Sequence, residues 1–157
     1  MTRTIQPALV RRSVDVKVSQ KRAFEVFTSS ISAWWPKGSH HIGASPAKSV
    51  TIEPREGGRW YETGEDGVES EWGKVLVWDP YGRLVLAWQI DASFKPDPTL
   101  ITEVELHFTP TGERETRVEL EHRNLERFGE KADQMTSQVS GPGGWSKILA
   151  DYAGHTV

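Results

Sequence analysis

The apolar positions of this chain change period three times. Val14, Val16 and Val18 alternate with Ser13, Asp15 and Lys17, the pattern of a half-buried strand. Ser19 then offers a helix N-cap. Phe24, Phe27, Ile31 and Trp34 recur at helical spacing, and Ser29-Ser30 divides that stripe into two short helices, ended by Pro36 and Gly38. From residue 50 the strand period returns. Val50 and Ile52 form a strand that stops at Pro54, and Arg59 to Glu62 forms another behind Gly57-Gly58. Trp72 to Trp78 precedes the turn Asp79-Pro80-Tyr81-Gly82. Arg83 to Ile90 comes next, with Leu84, Leu86, Trp88 and Ile90 in phase. Leu100 to Thr109 alternates clearly, as do Val118, Leu120 and His122 against Arg117, Glu119 and Glu121. The helical period closes the chain: Phe128, Ala132, Met135 and Val139, a break at Gly141 to Gly144, then Trp145, Ile148, Leu149 and Tyr152.

Strands in an unbroken run joined by short turns pair antiparallel. One apolar sheet face needs a cover, and the last helix has the face to supply it. The expected class is α+β: a curved antiparallel sheet of about six to seven strands wrapped around a long C-terminal helix, with two short helices after the first strand. Residues 1–157 read as a single domain, residues 1–11 being a loosely held lead-in. A sheet curved around a helix leaves space between the two, where small-molecule pockets form.

Composition narrows the function classes. Lacking any Cys, the chain has no disulfide, thiolate nucleophile or thiolate metal site. Net charge is -3, with Lys and Arg scattered among acids, so the basic footprint of a nucleic-acid binder is missing. No apolar stretch approaches the roughly 20 residues of a membrane span, and the N-terminus lacks the apolar run of a signal peptide. These features point to the cytoplasm. No GxSxG elbow occurs, and GPGGW lacks the context of a phosphate loop.

Several segments resemble one family. VSQKRAFEVFT, SISAWWP, GGRWYE, WGKVLVWDPYGRLVLAW, TRVELEHRNLERFG and GGWSKILADYA cover most of residues 13–153. In this order they resemble the START-like SRPBCC superfamily with its helix-grip fold, and most closely the branch of the activator of heat-shock-protein-90 ATPase. The resemblance implies a cavity between sheet and long helix. Superfamily members bind lipids, sterols, polyketides or plant hormones, some are cyclases or hydrolases, and the named branch includes a co-chaperone domain. Three function classes are implied: a binder of a small hydrophobic or aromatic ligand, a co-chaperone-like module with a chaperone partner, and a cyclase- or hydrolase-type enzyme. Family habit leaves a homodimer open.

Four of the seven Trp (Trp60, Trp72, Trp78 and Trp88) lie between Gly57 and Trp88, and such a wall either fills a core or lines a hollow. The ligand-binding candidates are Trp35, His41, Tyr61, Trp72, Trp88, His122 and Leu149. Trp34-Trp35 ends the helical pair, with one ring expected under the sheet and the other at the entrance. Adjacent His40 and His41 point to opposite sides of an extended loop, which argues against a shared metal; one of them closes the cavity mouth. Tyr61 carries a hydroxyl that a pocket can aim. Trp72 shares a face with Lys74, and Val75 with Val77; periodicity leaves open which face is inward. His122 is either a polar group in the cavity or a buried His satisfied by a backbone carbonyl. Ile148, Leu149 and Tyr152 face core or cavity. Glu53, Glu62, Glu69 and Glu71 read as edge charges. No catalytic residue, cofactor or metal is expected.

Overall fold

The computed structural model of the chain describes residues 9–156. Seven strands form one sheet: β1 (Leu9–Val16), β2 (Ala47–Ile52), β3 (Arg59–Gly64), β4 (Glu69–Asp79), β5 (Arg83–Trp88), β6 (Thr102–Gly112) and β7 (Glu115–Arg123). Their order is β1-β7-β6-β5-β4-β3-β2, and every neighbouring pair is antiparallel. From β2 to β7 the strands run as a meander. Only β1 makes a long-range closure, pairing Leu9 with Arg123 and Val16 with Thr116. The expected α+β class is the one observed. The lead-in is shorter than expected, because Leu9 to Arg11 already belong to β1; residues 1–8 lie outside the described residues.

Two short helices come after β1: α1 (Gln20–Thr28) and α2 (Ile31–Trp34). Ser19 caps α1, its hydroxyl accepting from the Arg22 N–H at 3.3 Å. The C-terminal helical region runs from Leu125 to His155 and is not continuous. A 3₁₀ segment (Leu125–Lys131) leads into α3 (Ala132–Ser140), and α4 (Trp145–His155) begins after the break at Gly141–Gly144. Gly144 is required there, since a Cβ would stand 2.1 Å from the Val139 carbonyl oxygen.

The concave face of the sheet carries the core. Phe24 and Phe27 of α1, Trp34 of α2, Phe108 of β6 and Tyr152 of α4 interlock at ring separations of 5.1–6.1 Å. The Tyr152 hydroxyl donates to the Ala23 carbonyl at 2.8 Å, tying α4 to α1. Burial pushes its ionisation above the usual tyrosine range.

The inward face of β4 is decided by two bulges. Trp72 is the extra residue opposite Trp60 and Tyr61, and Leu76 is the extra residue opposite Val85 and Leu86. A bulge flips the side-chain phase of the strand beyond it. Trp72 and Val75 are therefore both buried, although three positions apart, and Lys74 and Leu76 are exposed. Gly73 sits in the first bulge because β5 passes so close: a Cβ would lie 1.7 Å from the Ala87 carbonyl oxygen.

The convex face is polar. Arg123 donates to Glu103 (2.7 Å), Glu105 (2.6 Å) and Glu121 (3.2 Å), Arg83 to Glu105 (3.0 Å) and Arg11 to Glu121 (2.8 Å). Burial raises the Glu105 carboxyl, but hydrogen bonds from Arg83, Arg123 and His107 outweigh it and hold it near about 2.

Candidate ligand-binding site

Beyond the packed aromatics, the concave side opens into a cavity of about 330 Å³, at the lower end of the ~300–1,000 Å³ of small-molecule sites. Its wall is aromatic: Trp35 after α2, Trp72 of β4, Trp88 of β5, Trp145 of α4 and Phe94 of the β5–β6 loop. Ile42, Ile90, Met135, Val139 and Ile148 complete the apolar lining. Ser39, His40, His41 and Gln138 supply side-chain polarity. A wider depression of about 710 Å³ lies on the convex face, lined by Arg11, Arg12, Glu105, His107, Glu121 and Arg123 among others. Most of its charges answer one another in ion pairs.

The tryptophans form a connected cluster. Trp35 meets Trp72 at 5.0 Å and Trp145 at 6.3 Å, and Trp88 meets Trp145 at 5.8 Å. Trp60 stands behind them, 5.3 Å from Trp72 and 5.6 Å from Trp88. Most of the indole N–H groups are satisfied inside the protein. Trp35 donates to the His40 carbonyl (2.9 Å), Trp72 to Glu62 (2.8 Å) and Trp145 to His122 Nδ1 (3.1 Å). Those of Trp60 and Trp88 are buried without an acceptor among the described residues. The two rings meet edge to face.

The sequence candidates separate clearly. Trp35, His41, Trp72 and Trp88 line the cavity. Tyr61 does not: it lies on the convex face of β3, where the Arg59 guanidinium covers its ring at 4.1 Å. Trp60 takes the inward position of that strand. Leu149 is buried against the core, and the neighbouring Ile148 is the cavity residue of α4.

His122 is also not in the lining. It is fully buried behind the wall, 5.3 Å from Trp88 and 5.9 Å from Trp145. The Thr102 hydroxyl donates to the Trp88 carbonyl (3.0 Å), so it accepts from His122 Nε2–H at 2.9 Å. His122 Nδ1 accepts from Trp145. That arrangement requires the neutral ring, and burial lowers its ionisation to about 3. His122 is thus satisfied by side chains rather than by a backbone carbonyl, and it docks the start of α4 onto the sheet.

The two adjacent histidines have different roles. His40 uses both ring nitrogens: Nε2–H donates to the Gly143 carbonyl and Nδ1 accepts from the Ser39 hydroxyl, each at 2.7 Å. It clamps the α2–β2 loop to the α3–α4 break across the cavity rim. His41 Nδ1–H donates to the Gly43 carbonyl at 3.0 Å. Its Nε2 makes no hydrogen bond among the described residues.

Glu62 is the main surprise. Read as an edge charge, it is instead fully buried. It accepts from the backbone N–H groups of Ile42 (2.5 Å) and Gly43 (3.3 Å) and from Trp72. The available signal was its phase with Trp60 in RWYETG. Phe94, Met135 and Val139 also went unrecognised as lining residues, whereas Ile148 is one of three α4 positions that the sequence leaves open between core and cavity. Phe94 is half exposed at the rim with φ of 60°, a left-handed conformation that costs a non-glycine residue about 1–2 kcal/mol. Among the described residues no cluster of metal-ligating side chains occurs, and no helix is long and apolar enough to cross a membrane.

Residues 17–152 match the family profile described as Activator of Hsp90 ATPase homolog 1-like protein. Among solved structures, the chain is 41% identical to Txn09, an anthrahydroquino-γ-pyrone synthase, covering 93% of this chain and 95% of that one with a TM-score of 0.66. It is 30% identical to CalC, a self-sacrificing resistance protein of Micromonospora echinospora, covering 94% and 93% with a TM-score of 0.70. A Mesorhizobium loti protein at 16% identity covers 94% of this chain and 95% of its own with a TM-score of 0.67, a likeness of fold alone. No curated protein matches.

Proposed function

This chain belongs to the Activator of Hsp90 ATPase homolog 1-like family, and we propose that its cavity binds a flat, polycyclic aromatic small molecule. The observation that carries this reading is the wall itself. Four tryptophans and a phenylalanine surround about 330 Å³ of space with few polar side chains. Aromatic rings offer a flat ligand stacked and edge-on contacts, each worth about 0.5–1.5 kcal/mol beyond area burial. The preorganised wall keeps the entropic cost of binding low. The 41% identity to a synthase named for an anthrahydroquinone-fused pyrone supports a polycyclic, oxygenated ligand class.

A titration with 2-hydroxyanthraquinone tests the reading, since bound dye quenches the wall tryptophans. The expected outcome is saturable quenching together with a rise in Tm. Ile148→Trp, which fills the hollow from α4, is expected to weaken binding tenfold or more, about 1.4 kcal/mol. Saturable quenching of the same strength in Ile148→Trp would place the dye elsewhere and sink the cavity reading.

A second reading, ring closure on such a ligand in the same cavity, is favoured by the identity to Txn09. Conversion of an open-chain aromatic precursor, followed by mass and absorbance, decides between holding and transforming.

A further inference from the structure

An aromatic wall recognises flatness, and it distinguishes poorly between oxygenated and bare rings. The polar groups at the cavity are therefore where specificity resides, and most of them are already committed. The N–H groups of Trp35, Trp72 and Trp145 serve protein acceptors, and that of Trp88 is sealed away. Both nitrogens of His40 are engaged, one of them by the Ser39 hydroxyl, which is committed as its donor. Gln138 is exposed at the mouth. His41 Nε2 remains, on a ring whose other nitrogen is held by the Gly43 carbonyl. With Nδ1 as the donor, Nε2 of the neutral ring presents a lone pair and is an acceptor only.

We infer that His41 is the specificity-determining residue of the cavity and selects flat aromatic ligands bearing a free hydroxyl, whose O–H donates to Nε2. The inference rests on the cavity reading above and names the chemistry of its ligand. Glu62 is the positioning residue behind it. A carboxylate accepts from Ile42 N–H, Gly43 N–H and Trp72 N–H at once. An amide at this position would turn donor hydrogens toward one of those donors. The buried carboxylate thus fixes the 41–43 turn to the same Trp72 that forms the wall, setting the imidazole at a defined place relative to the stacking surface. Burying a charge is costly unless hydrogen bonds compensate it, and all three compensating donors lie on this turn or on the wall.

The test compares three probes, 2-hydroxyanthraquinone, 2-methoxyanthraquinone and anthraquinone, by tryptophan quenching of the full chain. In the wild type the hydroxy compound is expected to bind about three- to tenfold more tightly than the methoxy compound, the range of one net hydrogen bond. His41→Phe keeps the aromatic surface and removes the acceptor. It is expected to bring the ratio of hydroxy to methoxy binding to about one. Glu62→Gln is expected to lower the ratio in the same direction. The ¹⁵N resonance of His41 Nε2 should move with the hydroxy probe and not with the methoxy probe, a response that a merely structural role would not give. A hydroxyl preference that survives His41→Phe overturns the assignment, as does a ratio of one in the wild type. Failure of all three probes to bind the wild type removes the cavity reading itself, and the inference with it.

Discussion

Phe24, Phe27, Trp34, Phe108 and Tyr152 fill one half of the concave side, whereas Trp35, Trp72, Trp88 and Trp145 ring a hollow in the other. Ring separations are similar in the two halves, 5.1–6.1 Å in the first and 5.0–6.3 Å in the second. Abundance of aromatics therefore does not decide between core and cavity. The cover does. Over the packed half lie α1, α2 and the later part of α4, all with apolar stripes turned inward. Over the hollow half the helical region is interrupted at Gly141–Gly144, and a loop bridged by His40 replaces a helix. The helical cover is thereby split, with Met135 and Val139 of α3 on one side of the break and Trp145 and Ile148 of α4 on the other.

The largest way to break this comparison is to delete the same ring in each half. Phe27→Ala should cost about 3–5 kcal/mol in denaturant unfolding, because the ring is fully buried and the space cannot collapse. A cost below about 1 kcal/mol would mean that the packed half is also loose.

Next is the support behind the hollow wall. In the unfolded chain His122 takes up a proton near its ordinary value of 6.5, while the folded ring stays neutral down to about 3. Between these values the unfolded state binds more protons, so stability falls as pH falls, by at most about 1.4 kcal/mol per pH unit. Glu105, lowered from 4.5 to about 2, adds a second loss as pH drops through that lower window. Urea titrations from about pH 7 to 4.5 should show the His122 slope, and His122→Gln should flatten it. An equal slope in the variant would assign the acid sensitivity to other groups.

The smallest expected effect sharpens the contrast. Phe94→Ala removes a ring of the hollow half that is 49% exposed, so its stability cost should stay within about 0.5 kcal/mol. Its dye affinity should fall several-fold, read by the same quenching titration. Stability lost on the scale of Phe27→Ala would make Phe94 part of the core and not of a rim.

Much of the fold comes from local rules. The alternation of β1, β5, β6 and β7, the Ser19 cap, the turn at Asp79–Gly82 and the break at Gly141–Gly144 are each written in a few neighbouring residues. Trp35, Trp72, Trp88 and His41 were legible as site candidates because large aromatics and a loop histidine are unusual at such positions. Where the phase of a strand depends on a partner strand, the sequence is silent. Tyr61 turns outward and Trp60 inward because the sheet decides which face of β3 meets the core, and Trp72 and Val75 share a face because bulges in β4 insert a residue without leaving any local signal. Glu62 resembles any surface carboxylate until the 41–43 turn folds over it. His122 resembles a cavity ligand until Thr102 and Trp145 occupy both its nitrogens.

The sequence by itself determined the order and type of the elements, because period, caps and breakers act within a few residues. Only the tertiary structure decided which aromatics surround empty space and which polar groups are free to meet a ligand. Those properties depend on segments far apart in the chain arriving at one place, with His40 reaching Gly143 and Trp145 reaching His122.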